Sequence, residues 1–238
     1  MRLLRSSTCA VRQYIFVDLD TREADVIDPV LDYKTASGTL STIAADILLK
    51  FVKEKELNVP MDFVKSFDIF LKDEEEFSLS SNITGKVIHL PGHTPDHTGY
   101  MVGKAIFTWD SIFMPDLGSA RADFPGGDAK DLFASITRLL SLPQDYQLFV
   151  GHDYPVGRQH DCMATVGVHQ TKNKHGGFGT TESQFIQFRE ARDKVSGAPR
   201  LLQPSLQVNI RAGKLPPASN GRVWLKTPTK LTNPNIAL

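Results

Sequence analysis

The segment PGHTPDH at residues 91–97 decides how this chain is interpreted, because two further segments of the same kind follow it. They are FTWD at 107–110 and GHDY at 151–154. Each of the three segments places a side chain that can bind a metal at or just after the end of an apolar, strand-like run. These side chains are His93, Asp110 and His152. Loops at strand ends gather ligands from distant parts of an α/β sequence, so the pattern predicts half of a metal site.

The donor types suggest which metal this half-site would bind. Two imidazoles and one carboxylate suit zinc, and they also suit iron(II) when all three lie on one face. Taken singly, each histidine is more simply explained as a hydrogen-bonded structural residue, but three donors in equivalent positions favour a site. Pro95 separates His93 from His97 and argues against a helical pair, so His97 is expected to be structural or to support a ligand.

Composition excludes several classes of function. The chain has 238 residues, a length that favours one domain. It has 27 basic and 27 acidic residues and so no net charge, which predicts neither nucleic acid nor a membrane surface as a partner. The apolar runs are too short to span a bilayer. The two cysteines, Cys9 and Cys162, imply no disulfide framework and favour a reducing compartment.

The first residues bear on the compartment. Arg2, Arg5 and Arg12 occur without an acidic residue, as in a mitochondrial presequence. A strand at 14–17 leaves little chain ahead of it for a full presequence, and this favours the alternative of an ordinary N-terminus. The expected location is therefore cytoplasmic or mitochondrial.

Hydrophobic periodicity predicts an α/β protein. A hairpin is expected over 13–28 and an amphipathic helix over 41–57, with Ile43, Ile47, Leu48, Phe51 and Val52 on its inner face. Strands follow over the run 77–107, with turns at 84–85 and 103–104. The acidic run 73–76 is expected to be a solvated turn. Later elements are a helix over 128–141, a buried strand at 147–150, a helix over 181–195 and a tail from about residue 215.

Several motifs in order connect the chain to a known family. They are DPV at 28–30, PGHTP at 91–95, Asp110 after FT at 107–108, RADF at 121–124 and GHDY at 151–154. By these motifs the chain resembles the metallo-β-lactamase superfamily and, within it, most closely the persulfide dioxygenases, which are relatives of glyoxalase II. The resemblance extends from about residue 14 to 211. It implies an αββα sandwich, two sheets face to face with helices outside.

The resemblance also implies roles for particular residues. His93, Asp110 and His152 fall on metal-ligand positions, and His93 and Asp110 are the expected catalytic pair. In the dioxygenases a single iron(II) is bound by an upstream histidine and by the positions matching His93 and Asp110, with the position matching His152 beside it. In the two-metal hydrolases all of these positions bind metal. Arg121 and Asp123 match a loop near the site and are expected to contact substrate; the alternative for them is an ordinary exposed ion pair.

Two departures from the family pattern stand out. The His-x-His-x-Asp-His motif, expected after the strand that follows the first helix, is absent where Val59 meets Pro60. An internal segment of some tens of residues therefore looks deleted there, whether by a skipped exon, a faulty gene model or a genuine deletion. The second departure is Trp109, where the family usually has glycine. Its indole would either crowd the site or turn toward the core.

Three functions are consistent with these residues. The first is an iron(II)-dependent oxidation of glutathione persulfide to sulfite with O2, favoured by the short segment after His175. The second is a glyoxalase II-like hydrolysis of a glutathione thioester, with zinc as the alternative metal. The third is a non-catalytic, metal-poor member of the family. The expected partner is a small thiol persulfide or thioester, with no nucleic acid or membrane, and with a homodimer as a further possibility.

Overall fold

The computed structural model describes residues 13–29, 32–34, 36–59, 70–199, 201–211 and 214–227. The strands there are β1 (Tyr14–Val17), β2 (Ala24–Ile27), β3 (Asp32–Lys34), β4 (Thr39–Ser41), β5 (Glu76–Ser78), β6 (Thr84–His89), β7 (Thr98–Val102), β8 (Ala105–Trp109), β9 (Gln147–Val150) and β10 (Met163–Thr165). The helices are α1 (Ile43–Glu54), α2 (Ala129–Leu140), α3 (Val166–Lys172), α4 (Glu182–Lys194) and α5 (Leu202–Asn209).

The chain divides into two compact units. The first holds the described residues within 1–33, 40–60 and 71–196. The second holds those within 34–39, 61–70 and 197–238, and it includes α5. All of the residues considered below as a functional site belong to the first unit.

The first unit is built on a six-stranded sheet with the order β10-β9-β8-β7-β6-β5. Neighbouring strands are antiparallel, except that β8 and β9 are parallel. Strands β6, β8 and β9 therefore run in the same direction, and their carboxyl ends meet at one edge of the sheet. This edge is where the predicted metal ligands follow their strands.

The two faces of this sheet pack against different partners because side chains alternate along each strand. Ile106 and Leu148 belong to a core formed with helices α2, α3 and α4. The next residues along the same strands, Phe107 and Phe149, belong to a second core on the opposite face. That second core contains Tyr14 of β1, whose ring centroid lies 5.2 Å from that of Phe107.

The β1–β2 hairpin forms a layer of its own. Tyr14 and Phe16 pack toward the six-stranded sheet, whereas Ile15 and Val17 pack with Leu48 of α1 on the other side. The order of layers is α1, hairpin, six-stranded sheet, and α2 with α3 and α4. This is the predicted αββα sandwich, in which the described part of the hairpin layer consists of two strands.

Most predicted elements are confirmed, with four corrections. Helix α1 is shorter than expected, and Ile43 is 54% exposed because it is the first helical residue and precedes the buried turn that begins at Ala44. No turn occurs at 84–85: both residues lie in β6, and a Cβ on Gly85 would stand 2.6 Å from the ring of Phe77. Strands β3, β4 and β10 and helices α3 and α5 were not predicted because all are short.

The fourth correction concerns the acidic run 73–76. It is only partly a solvated turn, since Glu76 begins β5. Asp73 pairs with Arg138 at 3.0 Å, and Glu74 pairs with both Arg138 and Lys86. The run therefore connects strand β5 and the turn before it to α2.

Some predictions fall outside the described residues. These are the N-terminal arginines, Cys9, the stretch 60–69 and the last part of the tail, 228–238. No helix in the described ranges is long and apolar enough to cross a membrane.

Candidate metal centre

Asp110 lies at the centre of the candidate site, directly after β8. Its Oδ2 is 3.8 Å from His93 Nε2, and its Oδ1 is 3.5 Å from His152 Nε2. The structure thus brings the three predicted ligands to one sheet edge, because the strands that precede them run in the same direction. All three side chains are largely but not fully covered, with exposed fractions of 14% to 22%.

The three residues form two pairs that share Asp110. Two ligands about 2.1 Å from a tetrahedral zinc lie about 3.4 Å apart, close to both separations. Within the described ranges, however, no group of three or more histidine, cysteine or acidic side chains is arranged to hold a metal ion by itself. Each imidazole faces a different oxygen of the carboxylate, and this leaves two half-sites on either side of Asp110.

The charge state of Asp110 suits cation binding. Burial by itself would raise the pKa of this carboxyl, but the nearby imidazoles of His152, His93 and His97 lower it below the ordinary value. Its Oδ1 is buried and accepts no hydrogen bond that meets geometric criteria, since the contact with His152 is long. An ionised, buried and unsatisfied carboxylate oxygen beside imidazoles fits a divalent metal.

His93 is oriented by a backbone carbonyl. Its Nδ1 lies 2.8 Å from the carbonyl oxygen of Arg121, which can only accept, so Nδ1 carries the proton. The other nitrogen, Nε2, then presents its lone pair toward Asp110 when the ring is neutral. The ring also packs edge to face on Phe124, with centroids 4.7 Å apart.

His97 has a supporting position, as the sequence predicts. Its Nε2 donates to the carbonyl oxygen of Thr108 at 3.1 Å, and its ring stands nearly perpendicular to that of His93. Burial lowers the pKa of His97 against the opposing effects of this hydrogen bond and of Asp110, so the ring is neutral at pH 7.

The GHDY segment divides its side chains between the site and the interior. His152 faces Asp110, and the ring of Tyr154 is stacked on it with centroids 5.7 Å apart. Asp153 is fully buried and accepts hydrogen bonds from Arg158 at 2.7 and 2.9 Å and from the Asp161 amide at 2.7 Å. Asp153 therefore anchors the loop that carries His152.

Arg121 and Asp123 form a two-pronged ion pair. The guanidinium donates to the carboxylate at 2.5 and 2.6 Å, which lowers the pKa of Asp123. The pair adjoins the site, because the Arg121 guanidinium carbon lies 5.2 Å from the centre of the Phe124 ring that packs on His93. The structure therefore contains the ion pair and places it next to the site. Contact with substrate stays a prediction.

Trp109 turns away from the predicted metal ligands. Its φ is +50°, a conformation in which glycine is far easier to accommodate and which matches the family's usual glycine. The indole packs on Tyr14 with ring centroids 5.7 Å apart, and its Nε1 donates to Asp28 Oδ2 at 3.1 Å. Of the two positions expected for the indole, the structure shows the one directed toward the core rather than the one that crowds the site.

Sequence reasoning assigned no role to Asp28 or to the α4 pair Arg189 and Asp193. Asp28 opens the DPV motif and lies within electrostatic reach of Asp110 and His152, and burial raises its pKa. Arg189 and Asp193 are each 5% exposed and bonded to each other. A signal was present for the latter pair: Phe185, Arg189 and Asp193 recur every four residues, which places two charges on the buried stripe of a helix.

Comparison with known proteins defines the class. No family model matches the chain. It is 34% identical to a probable metallo-hydrolase of Burkholderia pseudomallei, over 93% of this chain and 96% of that protein. It is 32% identical to glyoxylase B2 of Dictyostelium discoideum, over 92% and 93%. It is 37% identical to the beta-lactamase hydrolase-like protein of Agrobacterium fabrum, of whose length the chain spans 61%.

Solved structures agree with the fold. The chain superimposes on ETHE1 from Myxococcus xanthus with a TM-score of 0.69 at 22% identity, over 90% of this chain and 99% of that one. With a metallo-β-lactamase from Staphylococcus aureus the TM-score is 0.63 at 19% identity, over 98% and 76%. The chain belongs to the metallo-β-lactamase superfamily, as a relative of glyoxalase II. Membership implies a divalent metal.

The alignments contain long gaps in this chain. The one with the Dictyostelium relative has 272 positions, whereas 92% of 238 residues is about 219, so about 53 positions face no residue here. The alignment with the Agrobacterium relative has 266 positions, whereas 91% of 238 residues is about 217, so about 49 positions face no residue here.

Proposed function

We propose that His93, Asp110 and His152 bind one divalent metal, iron(II) in preference to zinc, and that the chain oxidises the outer sulfur of a glutathione persulfide with O2 and water, which breaks the S–S bond and yields sulfite and glutathione. The observation that carries this proposal is the buried Asp110 carboxylate, whose unsatisfied Oδ1 lies 3.5 Å from His152 Nε2 and whose Oδ2 lies 3.8 Å from His93 Nε2. Two histidines and one carboxylate are the donor set of mononuclear iron(II) oxygenases that keep positions open for oxygen and substrate.

The side chains of the chain have distinct tasks in this proposal. Asp110 stays ionised at neutral pH because the neighbouring histidines lower its pKa. His93 offers Nε2 because the Arg121 carbonyl holds the proton on Nδ1. Bound iron would supply the activation of O2. Arg121, beside the Phe124 ring, would attract an anionic group of the persulfide, with Asp123 holding the guanidinium in place.

We further propose that the gapped positions in the alignments include the absent His-x-His-x-Asp-His motif. The metal then lacks ligands that relatives have. Loss of outer contacts alone costs metal sites about ten- to a hundredfold in affinity, and loss of a direct ligand should cost more. Binding is therefore expected to be weaker in this chain than in a relative that keeps the motif.

A glyoxalase II-like hydrolysis of a glutathione thioester is the second candidate. The geometry of Asp110 favours it, because each carboxylate oxygen faces a different imidazole. A carboxylate shared by two metal ions would present its oxygens in the same way. The names of two relatives, glyoxylase B2 and a probable metallo-hydrolase, also favour it. In that case activated water is the nucleophile.

A non-catalytic, metal-poor product is the third candidate. Its support is the finding that no group of three metal-binding side chains is preformed among the described residues. Metal content separates it from the two enzymatic candidates without any assay of turnover.

The decisive experiment uses the purified, tag-free chain, loaded without oxygen with iron(II) or with zinc and then desalted. Metal per chain is measured by mass spectrometry, followed by persulfide-dependent O2 uptake and thioester cleavage. The proposal expects about one iron per chain and O2 uptake that Asp110→Asn abolishes. The control is Asp145→Asn, the same change at a carboxylate that is 59% exposed just before β9, and it should behave as the wild type.

Other outcomes overturn the proposal in different ways. Two metals per chain with thioester cleavage and no O2 uptake would establish the second candidate. Metal-free protein under both loading conditions would establish the third. Light scattering on the same sample tests the expected homodimer.

A further inference from the structure

A single peptide group connects α4 to His93. The amide N–H of Ala122 donates to Asp193 Oδ2 at 2.9 Å. The carbonyl of the same peptide unit, which belongs to Arg121, accepts from His93 Nδ1 at 2.8 Å. Because a peptide unit is planar and rigid, fixing its N–H also fixes the direction of its carbonyl.

Asp193 is held in place by Arg189, one helical turn earlier. The guanidinium donates to both carboxylate oxygens, at 2.9 and 2.6 Å. Its remaining nitrogen donates to the carbonyl oxygen of Ala120 at 3.0 Å. Arg189 and Asp193 therefore bind the segment 120–122 through the Ala120 carbonyl and the Ala122 amide. Each of the two side chains is 5% exposed.

This pair is costly to bury, so a stabilising role alone explains it poorly. Removing two charges from water carries a desolvation penalty, and apolar residues of similar volume at such positions are often as stable or more so. Phe185, on the same buried stripe of α4, is apolar. What an apolar pair would lack is an acceptor for the buried Ala122 amide.

We propose that Arg189 and Asp193 are positioning residues for His93, acting through the 121–122 peptide group. Hydrogen bonds in series polarise one another, so an amide that donates to a carboxylate has a more strongly accepting carbonyl. That carbonyl holds the proton on His93 Nδ1 and directs the Nε2 lone pair toward Asp110. The ligand role of Nε2 rests on the proposed function, whereas the tautomer does not.

The first test needs no metal. Nitrogen-15 NMR of the metal-free wild type reports which nitrogen of the neutral His93 ring carries the proton, with the signal assigned by its loss in His93→Gln. The expected result is a predominant Nδ1–H form. A predominant Nε2–H form, or an equal mixture, would overturn the proposal.

The second test removes both charges while keeping shape, with Arg189→Gln and Asp193→Asn in one protein. A zinc titration of the folded variant is expected to show about ten- to a hundredfold weaker binding, together with a loss of the single tautomer. The matched control is Glu190→Gln with Lys194→Gln, which removes one negative and one positive charge from the exposed face of the same helix and should leave both readouts unchanged.

The results separate this proposal from the proposed function. If the wild type binds no metal yet shows the Nδ1–H form that the double variant loses, the metal site fails and the positioning role stands. If the double variant keeps wild-type affinity and tautomer, the positioning role fails and the metal site stands. If the double variant does not fold, the single variant Asp193→Asn is tested with the same two readouts, and wild-type affinity and tautomer in that variant would overturn the positioning role.

Discussion

The indole of Trp109 donates a hydrogen bond to Asp28, and the two residues share a rare backbone conformation. The Nε1–Oδ2 distance is 3.1 Å, with φ of +50° at Trp109 and +54° at Asp28. The turn at Trp109 directs the next side chain, Asp110, to the site, while the indole covers Tyr14 of the hairpin. The bond thus connects the sheet edge that carries the site to the end of β2.

Trp109→Gly tests how much the indole contributes. Glycine relieves a left-handed backbone cost of about 1–2 kcal/mol, but loses the ring contact with Tyr14 and the bond to Asp28. We expect a net decrease of about 2 kcal/mol in the free energy of unfolding, measured by urea denaturation. Trp109→Phe, which keeps a ring, should lose about 1 kcal/mol. A glycine variant as stable as the wild type would contradict this account.

Gly92 is predicted to tolerate no side chain. Its φ is +131°, and a Cβ there would stand 2.3 Å from the backbone of Leu132 in α2. Gly92→Ala should lower the free energy of unfolding by about 3 kcal/mol or more, because the obstacle is backbone and cannot rotate away. The control is Gly103→Ala: φ is +57° but no atom lies within 4 Å, so only about 1 kcal/mol should be lost. Equal losses would show that the contact at Gly92 is relieved by movement of α2.

The two carboxylates that bind Arg158 should differ in their effect on stability. Asp153 is fully buried, whereas the side chain of Asp116 is 47% exposed. Asp153→Ala should cost about 3 kcal/mol, because it removes the buried partner of Arg158 and leaves the Asp161 amide without its acceptor. Asp116→Ala should cost at most about 1 kcal/mol. Thermal unfolding of the two variants checks which one loses more stability. A larger loss in Asp116→Ala than in Asp153→Ala would contradict the prediction.

Acid should destabilise the chain through His169. Burial lowers the pKa of this ring to about 4 from its ordinary 6.5, and its Nε2 has no hydrogen-bond partner. The unfolded chain therefore binds the proton first as pH falls. The stabilising contribution is complete above about pH 6.5 and is lost progressively toward pH 4, by about 3 kcal/mol in total.

His169→Leu should reduce the loss in free energy of unfolding that occurs as pH falls. Between pH 7 and pH 4 the wild type is expected to lose about 3 kcal/mol more than the variant, measured by denaturation at each pH. Gln170→Leu serves as the control, because it removes a buried polar side chain of the same helix that does not titrate, so its effect on stability should not depend on pH. If the free energy of unfolding falls equally with pH in the wild type and in His169→Leu, the role given to His169 is wrong.

The local pattern of the sequence determined the elements and the composition of the site. Continuous apolar runs in 14–17 and 148–150 identify β1 and β9, because a strand buried on both faces needs apolar residues at successive positions. Helical spacing in 128–141 identifies α2, because burial of one helix face imposes that period. Residues His93, Asp110 and His152 were recognisable because each follows a strand. Strand direction then brings them to one edge, and this follows from the αββα fold that the motifs predict.

Tertiary structure alone decided how those residues are held. Nothing local to Trp109 indicates that its ring turns toward Asp28 rather than toward the site, since the choice depends on packing against Tyr14. Asp193 reaches the Ala122 amide only because α4 crosses the segment after β8. Such contacts join residues far apart in the chain, so their geometry depends on how whole layers pack, which short-range periodicity does not encode.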